Sequence, residues 1–426
     1  MPSTFIVINI EKLVNVREDN SLLFGTGLAN LPCIDNAFLL IEDGCIADYG
    51  AMYELELKVP VLPVNIIDAN NCFVLPAWCD SHTHLIFASS RENEFIEKLK
   101  GKSYAEIAAN GGGIINSAQK LNDTSEEILF SDALKRLNGL AKLGTGAIEI
   151  KSGYGLSVEG ELKMLRVIKK LKQQSDVLIK ATFLGAHTFP LQFKDRHNNY
   201  IDSIINEMLP VIAHEKLADF IDVFCENGFF SPEEMERICL AGKQYGLKPK
   251  LHVNQLNSIG AIEKGLGLNA LSLDHLETLT ANEINLLSAQ SKQTSTIKLQ
   301  PAICTLLPTA AFFLRMGFPP ARRLIDNGCA VALASDYNPG SSPSGNMNLV
   351  VAMACIQMKM LPEEAINAAT INGAYAMDLS KEAGSITIGK KANLLFTKNI
   401  PSLAYLPYSF GSNLIDKVMI NGNWVN

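Results

Sequence analysis

Between Phe73 and Met377, short apolar runs alternate with longer amphipathic stretches, and this alternation limits the fold more than any other feature of the chain. The apolar runs are Phe73 to Asp80, Gly146 to Lys151, Leu178 to Gly185, Phe220 to Cys225, Lys250 to Val253, Ala270 to Asp274, Ser295 to Leu299 and Ala330 to Ser335. Helical patterning covers Thr124 to Leu143, Val158 to Lys172, Tyr200 to His214, Pro232 to Tyr245 and Pro362 to Met377. Such alternation predicts a parallel sheet, and eight β/α units in roughly 300 residues predict an α/β fold of the (β/α)8, TIM-like barrel type.

The two ends of the chain read differently. Phe5 to Ile10, Ala37 to Glu42, Cys45 to Tyr49 and Val64 to Asp68 are short β-rich runs, separated by turns such as Glu42-Asp43-Gly44. The style returns at Gly384 to Gly389, Ala392 to Thr397 and Lys417 to Ile420, with Asn421-Gly422-Asn423 as a hairpin-like turn. One small β-sandwich domain, residues 1–72 and 385–426, is therefore expected beside a barrel of residues 73–384. A chain of 426 residues that is 47% hydrophobic has ample core for both.

A net charge of −7 argues against a nucleic-acid binder. It leaves room for an anionic small substrate, because one local Arg outweighs a diffuse field. The nine Cys are scattered, odd in number and without a C-x-x-C pair, as in a reduced, cytoplasmic protein. Met1 to Ile10 lacks a basic leader and a cleavage site and reads as a strand. No run of 18 or more apolar residues exists, so no membrane span is expected.

Chemistry gathers at the strand ends. His82 and His84 flank Thr83 where the first run opens into a loop, and side chains at i and i+2 of a strand share a face. Lys151 ends the second run, His187 the third, Glu226 the fourth, His252 the fifth, His275 the sixth and Asp336 the eighth. Five of the seven His lie at such ends, which in a barrel share one face. His82, His84, His252 and Asp336 make a metal set of three nitrogens and one carboxylate oxygen, with a position left for water. A carboxylate beside that water can take its proton and pass it to a leaving nitrogen. Lys151 is read as an ammonium or as a carboxylated bridge between two metals. His197 and His214 are read as surface residues. Glu226 is read as orienting a metal-site residue or as bonding to backbone, and Asn110 to Ile114 as a loop over the site.

These residues resemble the amidohydrolase superfamily, whose pattern is H-x-H on strand one, His on strands five and six, and Asp on strand eight. Longer stretches are similar to the imidazolonepropionase family within it. They are Asp80 to Phe87 with Arg91 and Glu94-Phe95, Gly101 to Tyr104 leading to Gly111-Gly112-Gly113-Ile114, Glu149 to Leu156, Phe183 to His187, Asp222 to Glu226, and Ala334 to Ser341. The resemblance implies hydrolysis of 4-imidazolone-5-propanoate to N-formimidoyl-L-glutamate, by a cytoplasmic homodimer holding one zinc or iron ion per chain. It implies metal ligands at His82, His84, His252 and Asp336, and substrate contacts at Arg91, Tyr154, His187, Gln255, Asn338, Gly340 and Ser341. Catalytic positions fall on Asp336, His275 and Gln255. Some family members carry Glu three residues after the strand-five His. Gln255 is a neutral amide and no base, so if that Glu is the base in those members, Asp336 must cover the role here. Two rival readings are a metal hydrolase for a cyclic ureide or amino-purine, and a metal-free scaffold. Arg91 speaks against the first, and the complete ligand set against the second.

Overall fold

The computed structural model describes residues 4–102, 106, 112–293 and 301–425. The terminal segments form one sheet from β1 (Thr4–Val14), β2 (Cys33–Glu42), β3 (Cys45–Ala51), β4 (Asn65–Asp68), β5 (Phe73–Pro76), β14 (Leu394–Thr397), β15 (Ile415–Ile420) and β16 (Asn423–Trp424). Its order is β16-β15-β14-β5-β1-β2-β3, with β4 beside β1. Alternation along β1 and β2 turns Phe5, Val7, Leu39 and Ile41 into one core with Val74, Leu394, Phe396 and Met419.

The second sheet is the barrel. Its eight strands run in chain order: β6 (Trp78–Asp80), β7 (Thr145–Lys151), β8 (Leu178–Ala186), β9 (Phe220–Cys225), β10 (Lys248–Val253), β11 (Ser272–His275), β12 (Ile303–Leu306) and β13 (Val331–Leu333). All pairings between them are parallel. The first and last strands meet just past their ends. Thr83 bridges Tyr337 in parallel, Asp336 N–H donates to His82 O at 3.0 Å, and His84 N–H to Tyr337 O at 2.9 Å. That closure brings His82, His84 and Asp336 together. The surrounding helices start where the chain supplies caps. Ser125 and Ser157 each accept a first-turn N–H, and Ser231 with Glu234 forms a capping box around Pro232.

Four expectations change. The run Phe73 to Asp80 is two strands: β5 pairs with β1 and β14 in the terminal sheet, and β6 pairs with β7 in the barrel. The seventh barrel strand is Ile303–Leu306, while Ser295 to Leu299 lies outside the described residues. The helix expected over Tyr200 to His214 widens into a π turn at Ile204–Met208, just before Pro210, which has no N–H to donate. The stretch Pro362 to Met377 holds two helices, Pro362–Ala369 and Ile371–Ala376, broken at Thr370. There the chain turns to press Gly373 on β6, where a Cβ would come 2.4 Å from Cys79 O. Among the described residues no helix is long and apolar enough to cross a membrane.

Candidate active site

The strand ends open onto a cavity of about 450 Å³ whose wall includes His84, His187, His252, His275, Asp336 and Arg91. His84 Nε2 lies 3.4 Å from His252 Nε2 and 3.5 Å from Asp336 Oδ1. His82 Nε2 lies 3.6 Å from the same oxygen. Atoms that share an ion at ~2.1 Å stand roughly 3–4 Å apart, so these three spacings suit a shared ion. His82 Nε2 is buried and has no hydrogen-bond partner among the described residues. A buried polar atom left so is costly unless something else binds it. His275 comes close as well, in a second cluster with His82 and Asp336.

The outer faces of two of these imidazoles are tied down. His82 Nδ1 lies 2.6 Å from Asp274 Oδ2, and His252 Nδ1 lies 2.7 Å from Asp222 Oδ2. A carboxylate there accepts the Nδ1 proton and leaves the Nε2 lone pair free for an ion. Burial holds the pKa of His82, His84 and His252 well below the usual histidine value, which favours the neutral, ligating form. Burial also pushes the Asp336 carboxyl up to about 7. Asp336 sits at φ +52°, a left-handed conformation that Asp tolerates better than most residues.

Lys151 points away from the cavity, into the barrel. Its Nζ lies 2.7 Å from Glu149 Oε1, 2.9 Å from Asp222 Oδ2 and 3.8 Å from Asp274 Oδ2. Burial alone would lower its pKa. The carboxylates of Asp222, Glu149 and Asp274 outweigh burial and raise it, as suits an ammonium. Sequence reading assigned no role to Asp222 and Asp274. The available signal was polar and charged residues at alternate positions inside buried strands: Glu149 and Lys151, Lys250 and His252, Ser272 and Asp274.

Arg91 marks another part of the wall. Its Nε donates to Ser117 Oγ at 2.9 Å, and its buried Nη2 has no partner among the described residues. A Cβ on Gly340 would stand 2.6 Å from Arg91 Nη1, so the glycine makes room for the guanidinium. The Tyr154 ring lies between the two regions, 5.9 Å from Arg91 Cζ and 5.8 Å from the His84 ring. His187 stacks on His84 with ring centroids 5.4 Å apart. Its Nδ1 donates to Gly153 O at 3.0 Å, and burial lowers its pKa to about 4, so neutral Nε2 is an acceptor.

Other expected residues are placed as follows. Gln255 lines the cavity on a loop that Glu226 holds. Glu226 accepts from Leu256 N at 2.8 Å, Asn257 N at 3.1 Å and Asn227 N at 2.8 Å, so it bonds to backbone and carries the loop. Asn338 Oδ1 accepts the N–H groups of both Gly340, at 2.8 Å, and Ser341, at 2.7 Å. Those N–H groups therefore face the Asn338 side chain. Glu94 Oε1 accepts Gly113 N–H at 2.9 Å, and Asn110 and Gly111 lie outside the described residues. His214 is exposed, and half-buried His197 stacks on Phe189 away from the cavity.

Comparison with known proteins agrees with this geometry. An amidohydrolase family model matches residues 161–425, a span that holds His252, His275 and Asp336. An imidazolonepropionase of Flavobacterium johnsoniae is 56% identical over 419 residues, covering 98% of each chain. The imidazolonepropionase of Christiangramia forsetii is 52% identical over 99% of this chain and all of its own. The chain belongs to the imidazolonepropionase family. Family members from more distant bacteria still align along most of the chain, as with Clostridium tetani at 42% identity over 94% of it. Among solved structures, Escherichia coli guanine deaminase superimposes with a TM-score of 0.73 at 13% identity, covering 100% of this chain and 99% of its own. That likeness concerns the fold alone.

Proposed function

We propose that this site hydrolyses the cyclic amide C–N bond of 4-imidazolone-5-propanoate to N-formimidoyl-L-glutamate, a step of histidine degradation. One observation carries the reading: a single cavity is lined by His84, His252 and Asp336, with buried His82 Nε2 3.6 Å from Asp336 Oδ1, and also by Arg91, whose Nη2 has no partner among the described residues. A small ring with a carboxylate tail is what such a cavity suits. Arg91 grips the tail through charge-assisted hydrogen bonds, which orient it as well as neutralise it. His187 Nε2 accepts a ring N–H, and Tyr154 packs between tail and ring.

His82, His84, His252 and Asp336 would hold one zinc or iron ion per chain, since this donor set suits both. When bound, the ion supplies Lewis acidity that polarises a carbonyl and ionises water near neutral pH. Asp336 takes the proton of the attacking water and returns it to the ring nitrogen as the C–N bond breaks. His275, whose pKa burial would lower but Glu277 and Asp336 raise, donates to the oxyanion formed at the ring carbonyl. Gln255 hydrogen-bonds the ring and carries no proton. Once the product's new carboxylate forms, Asn338 can release the Gly340 and Ser341 N–H groups to it.

The deciding experiment is turnover of freshly generated 4-imidazolone-5-propanoate, with metal assayed on the same sample. Formimidoyl-glutamate formed at about one metal per chain is the expected result. Metal-loaded protein that leaves this substrate intact would defeat the reading. The homodimer that the resemblance implies is checked by light scattering, with a mass about twice 46.4 kDa expected.

A further inference from the structure

We propose that Lys151 is a positioning residue: it ties together the two carboxylates that orient the metal-binding histidines. The proposal rests on the reading that His82, His84, His252 and Asp336 hold an ion. Asp222 Oδ2 is shared between His252 Nδ1 at 2.7 Å and Lys151 Nζ at 2.9 Å. Asp274 Oδ2 lies 2.6 Å from His82 Nδ1 and 3.8 Å from the same Nζ. One ammonium therefore stands behind both histidines, on the side away from the ion.

The tie is part of a closed circuit. Lys151 donates to Glu149 Oε1 at 2.7 Å, and Glu149 Oε2, which accepts no hydrogen bond among the described residues, is held by charge 3.2 Å from Lys250 Nζ. Lys250 donates to Ser272 Oγ at 2.8 Å, and Ser272 donates to Asp274 Oδ1 at 2.5 Å. Every member is buried. The circuit spans β7, β9, β10 and β11, and the register that sets Lys250 beside Ser272 and His252 beside Asp274 fixes its shape. It holds three carboxylates against two ammonium groups, so each cation is needed. Buried networks of this kind fix geometry only while every member is satisfied.

Lys151 does not line the cavity and so has no access to substrate. Without its Nζ, Asp222 loses a partner on the oxygen that holds His252, and three carboxylates face one remaining cation. Repulsion in a buried site then turns those carboxylates away from the histidines. His84 offers an internal contrast, because its Nδ1 has no partner among the described residues. The circuit thus fixes two of the three imidazoles.

The test is zinc affinity, measured by competition with a chromophoric chelator on metal-stripped protein refilled with Zn²⁺. Lys151→Met is expected to weaken zinc binding ~10–100-fold, as loss of outer-sphere partners does. Asp222→Asn should weaken it too, and the double variant should lose clearly less than the product of the two single losses, because Lys151 acts in part through that carboxylate. Additive losses, or unchanged affinity in Lys151→Met, overturn the proposal. Should Lys151→Met fail to fold, Lys151→Gln keeps an amide donor and is judged by the same two criteria. Wild-type protein that takes up no zinc would instead overturn the metal-site reading, and this proposal with it.

Discussion

The metal-site end of the cavity and the Arg91 end are built on opposite plans. Behind the histidines, His82 leans on Asp274, His252 on Asp222, and both carboxylates on Lys151. Lys151, Asp222, His252 and Asp274 sit on strands whose register is fixed by ladders on both sides, and His82 lies just past the end of β6. Arg91 instead precedes a short helix, Glu92–Leu99, is held through Nε by Ser117, and has no partner for Nη2 among the described residues. Beside it, Asn338 closes the following loop on itself by accepting two backbone N–H groups. Strands and strand ends thus carry the proposed metal ligands, and in the proposed reading Arg91 would face the part of the substrate that only binds. The difference teaches that damage at the two ends should appear in different kinetic constants.

Asp336→Asn probes the chemical end most directly. At saturating metal it should cut kcat by ~10²–10⁴-fold with little change in KM, the range typical of a lost general base. Full turnover with metal retained would remove Asp336 from that role. Acidity probes the same end without mutation. Burial lowers the folded-state pKa of His82, His84 and His252 below the usual histidine value. Unfolded chains therefore bind these protons first as pH falls. The stability these groups contribute is full above the ordinary histidine pKa and is lost below it, by up to roughly 1.4 kcal/mol per pH unit for each. Asp336, pushed up to about 7, and His275, whose pKa is raised, take up protons in the folded state and offset this loss in the global stability. The imidazole nitrogens of metal-free folded protein, followed by NMR, should therefore show His82, His84 and His252 still neutral at about pH 6, and imidazoles titrating at the ordinary histidine pKa would contradict the burial argument. At the other end, Arg91→Ala should raise KM by ~10–100-fold while kcat stays close to wild type, since a charged hydrogen bond contributes about 1.5–3 kcal/mol. An unchanged KM would sink the tail clamp. Gly340→Ala is the mildest. Its Cβ would stand 2.6 Å from Arg91 Nη1, so it should displace the guanidinium and raise KM several-fold, about 1 kcal/mol. A kcat defect there instead would blur the contrast between the two ends.

The sequence showed first what depends on local order. His82-Thr83-His84 is a two-residue spacing on one face, and the strand-end positions of His252, His275 and Asp336 follow from the alternation of elements. The partnership of Asp222 with His252 and of Asp274 with His82 is different in kind. It depends on how neighbouring strands are registered, and no spacing within one strand reports that. Lys151 shows the limit well: a lysine at a strand end reads equally as a metal bridge or as an ammonium until Glu149, Asp222 and Asp274 are seen around it. The split of Phe73 to Asp80 was hidden for a related reason. A single apolar run carries no mark of changing sheets at Ala77, because both sheets bury it.

That change of sheets bears on how the chain is made. β5 pairs with β14, Leu75 opposite Leu395 and Val74 opposite Phe396. The first seventy-six residues emerge from a ribosome about three hundred residues before their partner strand exists. At about 5–20 residues per second, the half-built sheet waits roughly 15–60 s. Throughout that interval one edge of β5 stands open, a ready template for a wrong neighbour. The nascent N-terminal segment is therefore a stretch of this protein with a claim on a chaperone.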